Sequence, residues 1–345
     1  MKKYLAPLTA LLATLLSFNA AADYQPTDLF KIQGLSIGQA QDKEGVTGVT
    51  VLRFDKGAVA GVDVRGAAPG TRETDLLRPE NLVQQVNAIV LSGGSAYGLD
   101  SMTGVMKYLG DNDIGFDVGV AKVPIVTGAV LFDLTIGDPK SRPDATMGYQ
   151  ATKSANRTEF KEGSFGAGTG ATVGKIAGGK RSTKSGIGSY VIEFDSGLVI
   201  GAIVAVNAWG DVTKDGQVYA GTRSEDGKSF VSGKDLIVDG LASKGFAGRN
   251  TTIGVIVTNA KLTKTQALKI AQMGHDGYAR AINPVHSMYD GDTLFAAGTG
   301  EIEVTDINSI GVVGAEVVQQ AIYRAVESAE SLGGLPTRNE ITSNQ

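Results

Sequence analysis

The sequence predicts a mixed α/β fold in which antiparallel strand pairs form two sheets and helices cover them. Three observations carry this. Residues 190–194 and 198–206 are rich in β-branched and apolar types and flank Asp195-Ser196-Gly197, a hairpin pattern. Residues 88–91 read as a buried strand that passes through a glycine-rich turn, Ser92-Gly93-Gly94-Ser95, into a helix ending near Leu109. Residues 263–282 and 310–332 carry apolar side chains at helical spacing, as helices packed on a sheet do. A length of 345 residues admits one large domain or two small ones.

In chain order, residues 1–22 read as a secretory signal. Lys2 and Lys3 form a basic start, an apolar run covers about 5–18, and Ala20-Ala21-Ala22 offers a cleavage site. The run is short for a membrane span. The expectation is an exported soluble protein, periplasmic or secreted, mature from about Asp23. Residues 45–53 and 59–64 look like the two strands of a hairpin. Residues 65–77, with Pro69-Gly70 and dense charge, read as a loop. In the turn after residue 91, Gly93-x-Ser95-x-Tyr97 has Tyr where a nucleophile elbow needs Gly. Ser95 is therefore read as a helix N-cap and a candidate substrate contact. Residues 116–134 are apolar and strand-rich, broken by Pro124 and Gly128, and 145–155 suit a short helix. Gly166-x-Gly168-x-Gly170-Ala171 resembles a dinucleotide fingerprint but lacks the flanking strand and helix. Gly174-x-x-x-x-Gly179-Lys180 resembles a phosphate loop, but Arg181 stands where Ser or Thr is required.

Residues 211–248 are polar, show little periodicity and read as one long loop. Thr263 reads as the cap of helix 263–282. Residues 287–296 form a turn feeding a strand. Asp290 and Asp292 suit calcium, but the Glu that would complete an EF-hand is missing. The tail after Pro336 reads as frayed.

Composition excludes several chemistries. With no cysteine there is no disulfide, thiol nucleophile or thiolate metal site. The only histidines are His275, on a predicted helix, and His286, in a loop, and neither lies in a catalytic motif, so packing or surface roles are expected. Hydrolytic chemistry would then draw on another base, an α-amine or a lysine. The formal charge of −4 becomes −6 without Lys2 and Lys3, which gives no reason to expect nucleic-acid or membrane partners. Nothing calls for a cofactor or a metal.

One stretch suggests a reaction. Residues 248–250 are loop-like, residues 251–257 read as a buried strand, and Thr251 follows Asn250 at the seam. The Thr251 hydroxyl can attack the Asn250 carbonyl, shift the chain to an ester and let water split it. The new chain would begin with Thr251, with a hydroxyl nucleophile and a free α-amine on one residue. An ordinary loop-to-strand junction has the same appearance.

Several motifs in order resemble one family, the autoprocessing L-aminopeptidase/D-amidase-esterases, which include β-peptidyl aminopeptidases and the nylon-oligomer (6-aminohexanoate-oligomer) endohydrolase. They are Gly48-Val49-Thr50-Val51, Val64-Arg65-Gly66 with Pro69-Gly70-Thr71-Arg72-Glu73, residues 91–99, Gly166-Ala167-Gly168-x-Gly170-Ala171 with Gly174-Lys175, Asn250-Thr251-Thr252, and Asp290-Gly291-Asp292-Thr293-Leu294-Phe295. Asn-Thr-Thr and the Asp-Gly-Asp run liken the chain to the endohydrolase branch.

The resemblance implies a four-layer α/β/β/α sandwich, like N-terminal-nucleophile hydrolases but differently connected. It implies cleavage at Asn250–Thr251 into chains 23–250 and 251–345 that form one catalytic domain, with processed protomers assembling as a homo-oligomer, a tetramer. It implies Thr251 as nucleophile, Lys175 and Asn207 as its support, and Asp290 and Asp292 as an acidic pair nearby. Phe132 stands where the endohydrolase has an active-site Tyr, a candidate substrate contact without a phenol. The implied activity is hydrolysis of linear aliphatic oligoamides or short peptides. An aminopeptidase/D-esterase or β-peptidyl aminopeptidase, an autocleaving acyltransferase and a non-enzymatic binding protein are the alternatives.

Overall fold

The computed structural model describes residues 24–241 and 250–343. The signal expected over 1–22 and most of the loop-like approach to Asn250 lie outside them. The main sheet has ten strands, numbered here β1 (Tyr24–Pro26), β2 (Leu35–Asp42), β3 (Thr47–Val64), β4 (Thr71–Arg72), β5 (Gln85–Ser92), β6 (Val126–Val130), β7 (Ile187–Phe194), β8 (Val199–Ala205), β9 (Ile253–Ala260) and β10 (Thr293–Ile302). Their order is β1-β7-β8-β9-β10-β3-β5-β6-β4, with β2 also on β3. β9–β10 and β5–β6 are parallel and the other pairs antiparallel. The helices are α1 (Ser101–Asp111), α2 (Ala145–Ser154), α3 (Gly233–Val238), α4 (Lys264–Ala281) and α5 (Ile307–Glu327), followed by a short one, Arg338–Thr342.

Three apolar cores define four layers. Ile270 and Ala271 of α4 and Val318 and Ile322 of α5 pack on Ile200 and Ala202 of β8 and Ile256 of β9. Alternate residues of the same strands, Ile203, Val255 and Val257, face the opposite way and meet Leu52, Ile89 and Leu91. Beyond them, Val49, Val51 and Val90 meet Met102, Val105 and Leu109 of α1. The layers are therefore α4/α5, sheet, sheet, α1/α2, the expected sandwich. Its two sheet layers are halves of one hydrogen-bonded sheet that share β3.

β3 corrects the first expectation. Residues 45–53 and 59–64 are one strand, not a hairpin. Arg53 pairs with Ala88 and Ala58 with Val86, so the residues between form a bulge, with Gly57 at φ +79°. Asp55-Lys56-Gly57 has turn chemistry, but pairing with β5 on both sides carries the chain straight on. The hairpin partner of β3 is β2, which the sequence reading missed.

Residues 211–241 are not one loop. They form the strands Asp211–Lys214 and Gln217–Ala220, then α3. The buried Asp211 carboxylate ties them together, accepting from Thr222 N and Oγ1 and from Gly233 N at 2.7–2.8 Å. The described residues after Pro336 are not frayed, since Thr337 and Glu340 form a capping box on the helix Arg338–Thr342.

Candidate active site

Strand register brings the site together. β8 ends at Ala205 opposite Ile253, where antiparallel β9 begins, and Ile253 also lies beside Thr293 at the start of parallel β10. The segments 206–209, 250–252 and 290–292 therefore meet at one end of the sheet. Val64 pairs with Thr293 at the end of β3, which places residues 65–68 alongside, with Arg65 N and Gly66 N donating to Asp292 O and Ala68 N to Asp290 O.

Asn250 and Thr251 are both buried. Thr251 Oγ1 hydrogen-bonds the carbonyl oxygen of Asn250. The same oxygen accepts from Gly291 N at 3.1 Å, and Thr251 N donates to Asn207 O at 2.9 Å. Asn250 Nδ2 donates to Tyr289 O at 3.2 Å, and the residue bridges Asp290 as an isolated parallel β-bridge. The Asn250–Thr251 peptide is thus held at its carbonyl oxygen and its nitrogen, with a hydroxyl against it.

Lys175 lies behind this peptide. Its Nζ donates to Asn207 Oδ1 (2.8 Å), Thr172 O (2.9 Å), Asn207 O (3.0 Å) and Ala208 O (3.3 Å). Lys175 Nζ and Thr251 N therefore share one acceptor, Asn207 O. Burial pushes the Lys175 amine down to about 7, against the opposing pull of Asp290, Asp292 and Asp133. Asn207 Nδ2 donates to Phe132 O at 2.8 Å, so the donor on the Asn250 carbonyl is Gly291 N rather than the Asn207 side chain.

The acidic pair is fully engaged by its own chain. Asp290 accepts from Trp209 N at 3.1 Å and from Ser287 Oγ. Burial, and then the neighbouring Asp292, raise its carboxyl to about 6. Asp292 Oδ1 accepts from Thr252 N at 2.8 Å, and its Oδ2 from His286 N (3.0 Å) and His286 Nδ1 (2.9 Å).

The expected site residues thus fall into two groups. Thr251, Asn250, Lys175, Asn207, Asp290 and Asp292 come together, and Phe132 joins through its carbonyl oxygen. Ser95 does not act as a cap. It is the first residue of a 3-10 turn, at φ +53°, while Gly94 and Asp100 hold the cap positions of that turn and of α1 without side-chain cap bonds. Its backbone N–H donates to Leu131 O. Leu131 N in turn bonds back to Ser92 O, which closes the turn without the hydroxyl. No group of three or more His, Cys, Asp or Glu among the described residues is arranged to hold a metal. His275 packs inside α4 as expected, and burial lowers its pKa to about 4.

Sequence reasoning missed three features. His286 joins the site through Asp292. Gly291 contributes a backbone donor. Asp133 and Lys184 are two further buried ionisable groups that act on each other electrostatically without an ion-pair contact. Asp133 accepts from Thr47 Oγ1 and Gly94 N, and Lys184 is held by Gly168 O, Ala171 O and Ser185 O.

The sandwich has the architecture of the N-terminal-nucleophile hydrolase fold, and family membership together with a 6-aminohexanoate-oligomer endohydrolase among its relatives places the chain among hydrolases of amide and peptide bonds. Its likeness to the L-aminopeptidase D-Ala-esterase/amidase from Ochrobactrum anthropi, a structure described as a new variant of that fold, has a TM-score of 0.68 over 90% of this chain and 88% of that one, at 18% identity. The chain belongs to peptidase family S58, whose model matches residues 27–339. It is 37% identical to an uncharacterized aminopeptidase of Mycobacterium leprae (strain TN), over 84% of this chain and 85% of the relative. It is 30% identical to the 6-aminohexanoate-oligomer endohydrolase of Kocuria sp. (strain KY2), over 90% of each.

Proposed function

We propose that the chain cleaves itself at Asn250–Thr251 and that Thr251 is then the nucleophile of an amidohydrolase acting on linear aliphatic oligoamides or short peptides. The observation that carries this reading is the Thr251 hydroxyl lying against the Asn250 carbonyl oxygen, while Gly291 N holds that oxygen and Asn207 O holds the peptide nitrogen. In self-cleavage, Oγ1 attacks the Asn250 carbonyl carbon and the negative charge develops on the oxygen facing Gly291 N. The C–N bond breaks, the nitrogen takes a proton and becomes the Thr251 α-amine, and water hydrolyses the ester to leave Asn250 with a carboxylate.

In turnover the same amine, with a reference pKa near 7.7–8.0, is the base for the hydroxyl. Lys175, one shared oxygen away, lowers that amine's proton affinity when charged. Intact mass and N-terminal sequencing test the scheme. The expected result is a C-terminal chain starting at Thr251 and a single uncleaved, inactive chain for Thr251→Ala. A Thr251→Ala chain that still splits at this bond overturns it. The same sequencing tests export, supported by the composition of residues 1–22, through an N-terminus near Asp23. Assembly as a homo-oligomer, a tetramer, belongs to the same proposal.

A second reading is an aminopeptidase that grips a substrate's free ammonium, which the name of the Mycobacterium leprae relative favours. The acidic pair argues for internal cleavage instead. Both carboxylates are buried and each oxygen already accepts from the protein, so neither is presented to a substrate amine. Rates on free and N-acetylated 6-aminohexanoate oligomers separate the readings. Comparable cleavage of the acetylated oligomer supports the endo reading, and release of only amine-bearing first residues supports the other.

A further inference from the structure

His286 has no place in the chemistry above, yet three observations single it out. It donates twice to one oxygen, Asp292 Oδ2, from its backbone N–H and from Nδ1. It adopts φ +56°, a left-handed conformation that a histidine enters at a cost. Its Nε2 is buried and unpartnered, as are His275 Nδ1 and Thr252 Oγ1. The ring lies edge-on to His275, with centroids 4.8 Å apart, and 6.1 Å from Tyr278. A loop residue would take this conformation and leave a ring nitrogen unpaired only if the Asp292 contact outweighed both costs.

We propose that His286 is a positioning residue: it clamps Asp292 so that Oδ1 stays on Thr252 N–H, and thereby fixes Thr251 against the carbonyl it attacks. The inference rests on Thr251 being the nucleophile. With both donors on Oδ2, the carboxylate plane cannot turn, and Oδ1 remains 2.8 Å from Thr252 N. The residue next to that nitrogen is Thr251, so a tilt of the carboxylate moves the nucleophile directly. Such misplacement costs rate rather than binding. The charged and titratable groups around the clamp are Asp292 and Asp290 on its own turn, Lys175 across from both carboxylates, His275 and Tyr278 from α4, and Asp63 and Arg65 from the end of β3, which face His275. His275 adds no competing positive charge at neutral pH, because burial holds it neutral.

The test compares His286→Asn, His286→Gln and His286→Ala in the full chain. Asn tolerates the left-handed backbone and can place an amide N–H near the position of Nδ1, whereas Gln reaches towards Nε2 instead and Ala offers no side-chain donor. Losing a hydrogen bond to a charged group implies a fall in kcat on the order of 10- to 100-fold for Ala and Gln, with KM little changed. Self-cleavage slows in parallel, and the Asn variant recovers most of both.

Wild-type kcat and self-cleavage in His286→Ala overturn the proposal. So does an Asn variant as impaired as Ala, which makes ring packing on His275 the whole effect. If the Ala variant fails to fold, the Asn–Gln comparison alone decides. Thr251→Ala is run alongside: turnover by that variant sinks the nucleophile reading, whereas an inactive Thr251→Ala beside a normal His286→Ala sinks only this one.

Discussion

Replacing Gly291 with alanine tests whether its N–H is the oxyanion donor. Gly291 does not adopt a left-handed backbone, so an alanine meets no conformational penalty and the effect is one of space. An added Cβ would lie 2.7 Å from Thr251 Oγ1 and inside contact distance of the Ala68 carbonyl oxygen. Ala68 cannot simply retreat, because its own N–H is bonded to Asp290 O at 2.9 Å. The movable parties are the Thr251 hydroxyl and the Gly291 backbone, and moving either separates it from the Asn250 carbonyl. Losing one oxyanion donor costs about 10²–10³ in rate, and a comparable loss follows from displacing the nucleophile by about 1 Å. Self-cleavage should therefore slow by on the order of 10²–10³ while the fold persists. The assay follows conversion of the intact chain into its two products on a denaturing gel, with Thr251→Ala as the zero baseline. Self-cleavage within about threefold of wild type, less than 1 kcal/mol in the barrier, would refute the reasoning.

Lys175→Ala removes a donor from both oxygens of Asn207, so self-cleavage and turnover should fall together, by roughly 10- to 100-fold. Wild-type rates for both would make Lys175 a packing residue. Asp133→Asn tests a pH dependence. Burial raises the Asp133 carboxyl from 3.8 to about 6, so between those values the native state holds a proton that the unfolded chain releases, and stability from this group rises as pH falls. Relative to the Asn variant, wild type should gain up to about 3 kcal/mol in urea unfolding between pH 6 and 4. A gain in the opposite direction would show that Asp133 is not destabilised by its burial.

Much of the scaffold was legible because it obeys local periodicity. Helix α4 begins where Thr263 and Gln266 form a capping box, and β7 and β8 pair around the turn that composition marks. The errors lie where local chemistry is ambiguous. Asp55-Lys56-Gly57 suits a turn and a bulge equally, and only the long-range partner β5 decides between them. Residues 211–241 have no amphipathic period because one buried carboxylate, Asp211, orders them, and no local pattern announces a carboxylate that bonds residues 11 and 22 positions on. The site residues lie far apart in the chain, and their association came from resemblance rather than spacing. His286 escaped because its role rests on a positive φ and one contact, neither of which a single sequence displays.

The electrostatics of the site explain why its residues act as a unit. Asp290 and Asp292 are buried and Lys175 is half-buried with its amine turned inward, and desolvation shifts Lys175 down and Asp290 up, each towards its neutral form. The two carboxylates pull the Lys175 amine back towards charge and Lys175 does the same for Asp290, while Asp292 pushes Asp290 further towards its neutral form. Removing one partner from such a set leaves the remaining charge uncompensated in a dry environment, which costs more than the pair contributes when intact. The contacts that reach the Asn250–Thr251 peptide are chiefly backbone ones, from Gly291 N and Asn207 O, and the charged side chains bond to the neighbouring backbone at Asn207, Trp209 and Thr252. A substitution at any of the three therefore reaches the Asn250–Thr251 bond through main-chain displacement as well as lost charge. Effects measured one residue at a time will sum to more than the whole, as they do wherever catalytic groups share partners.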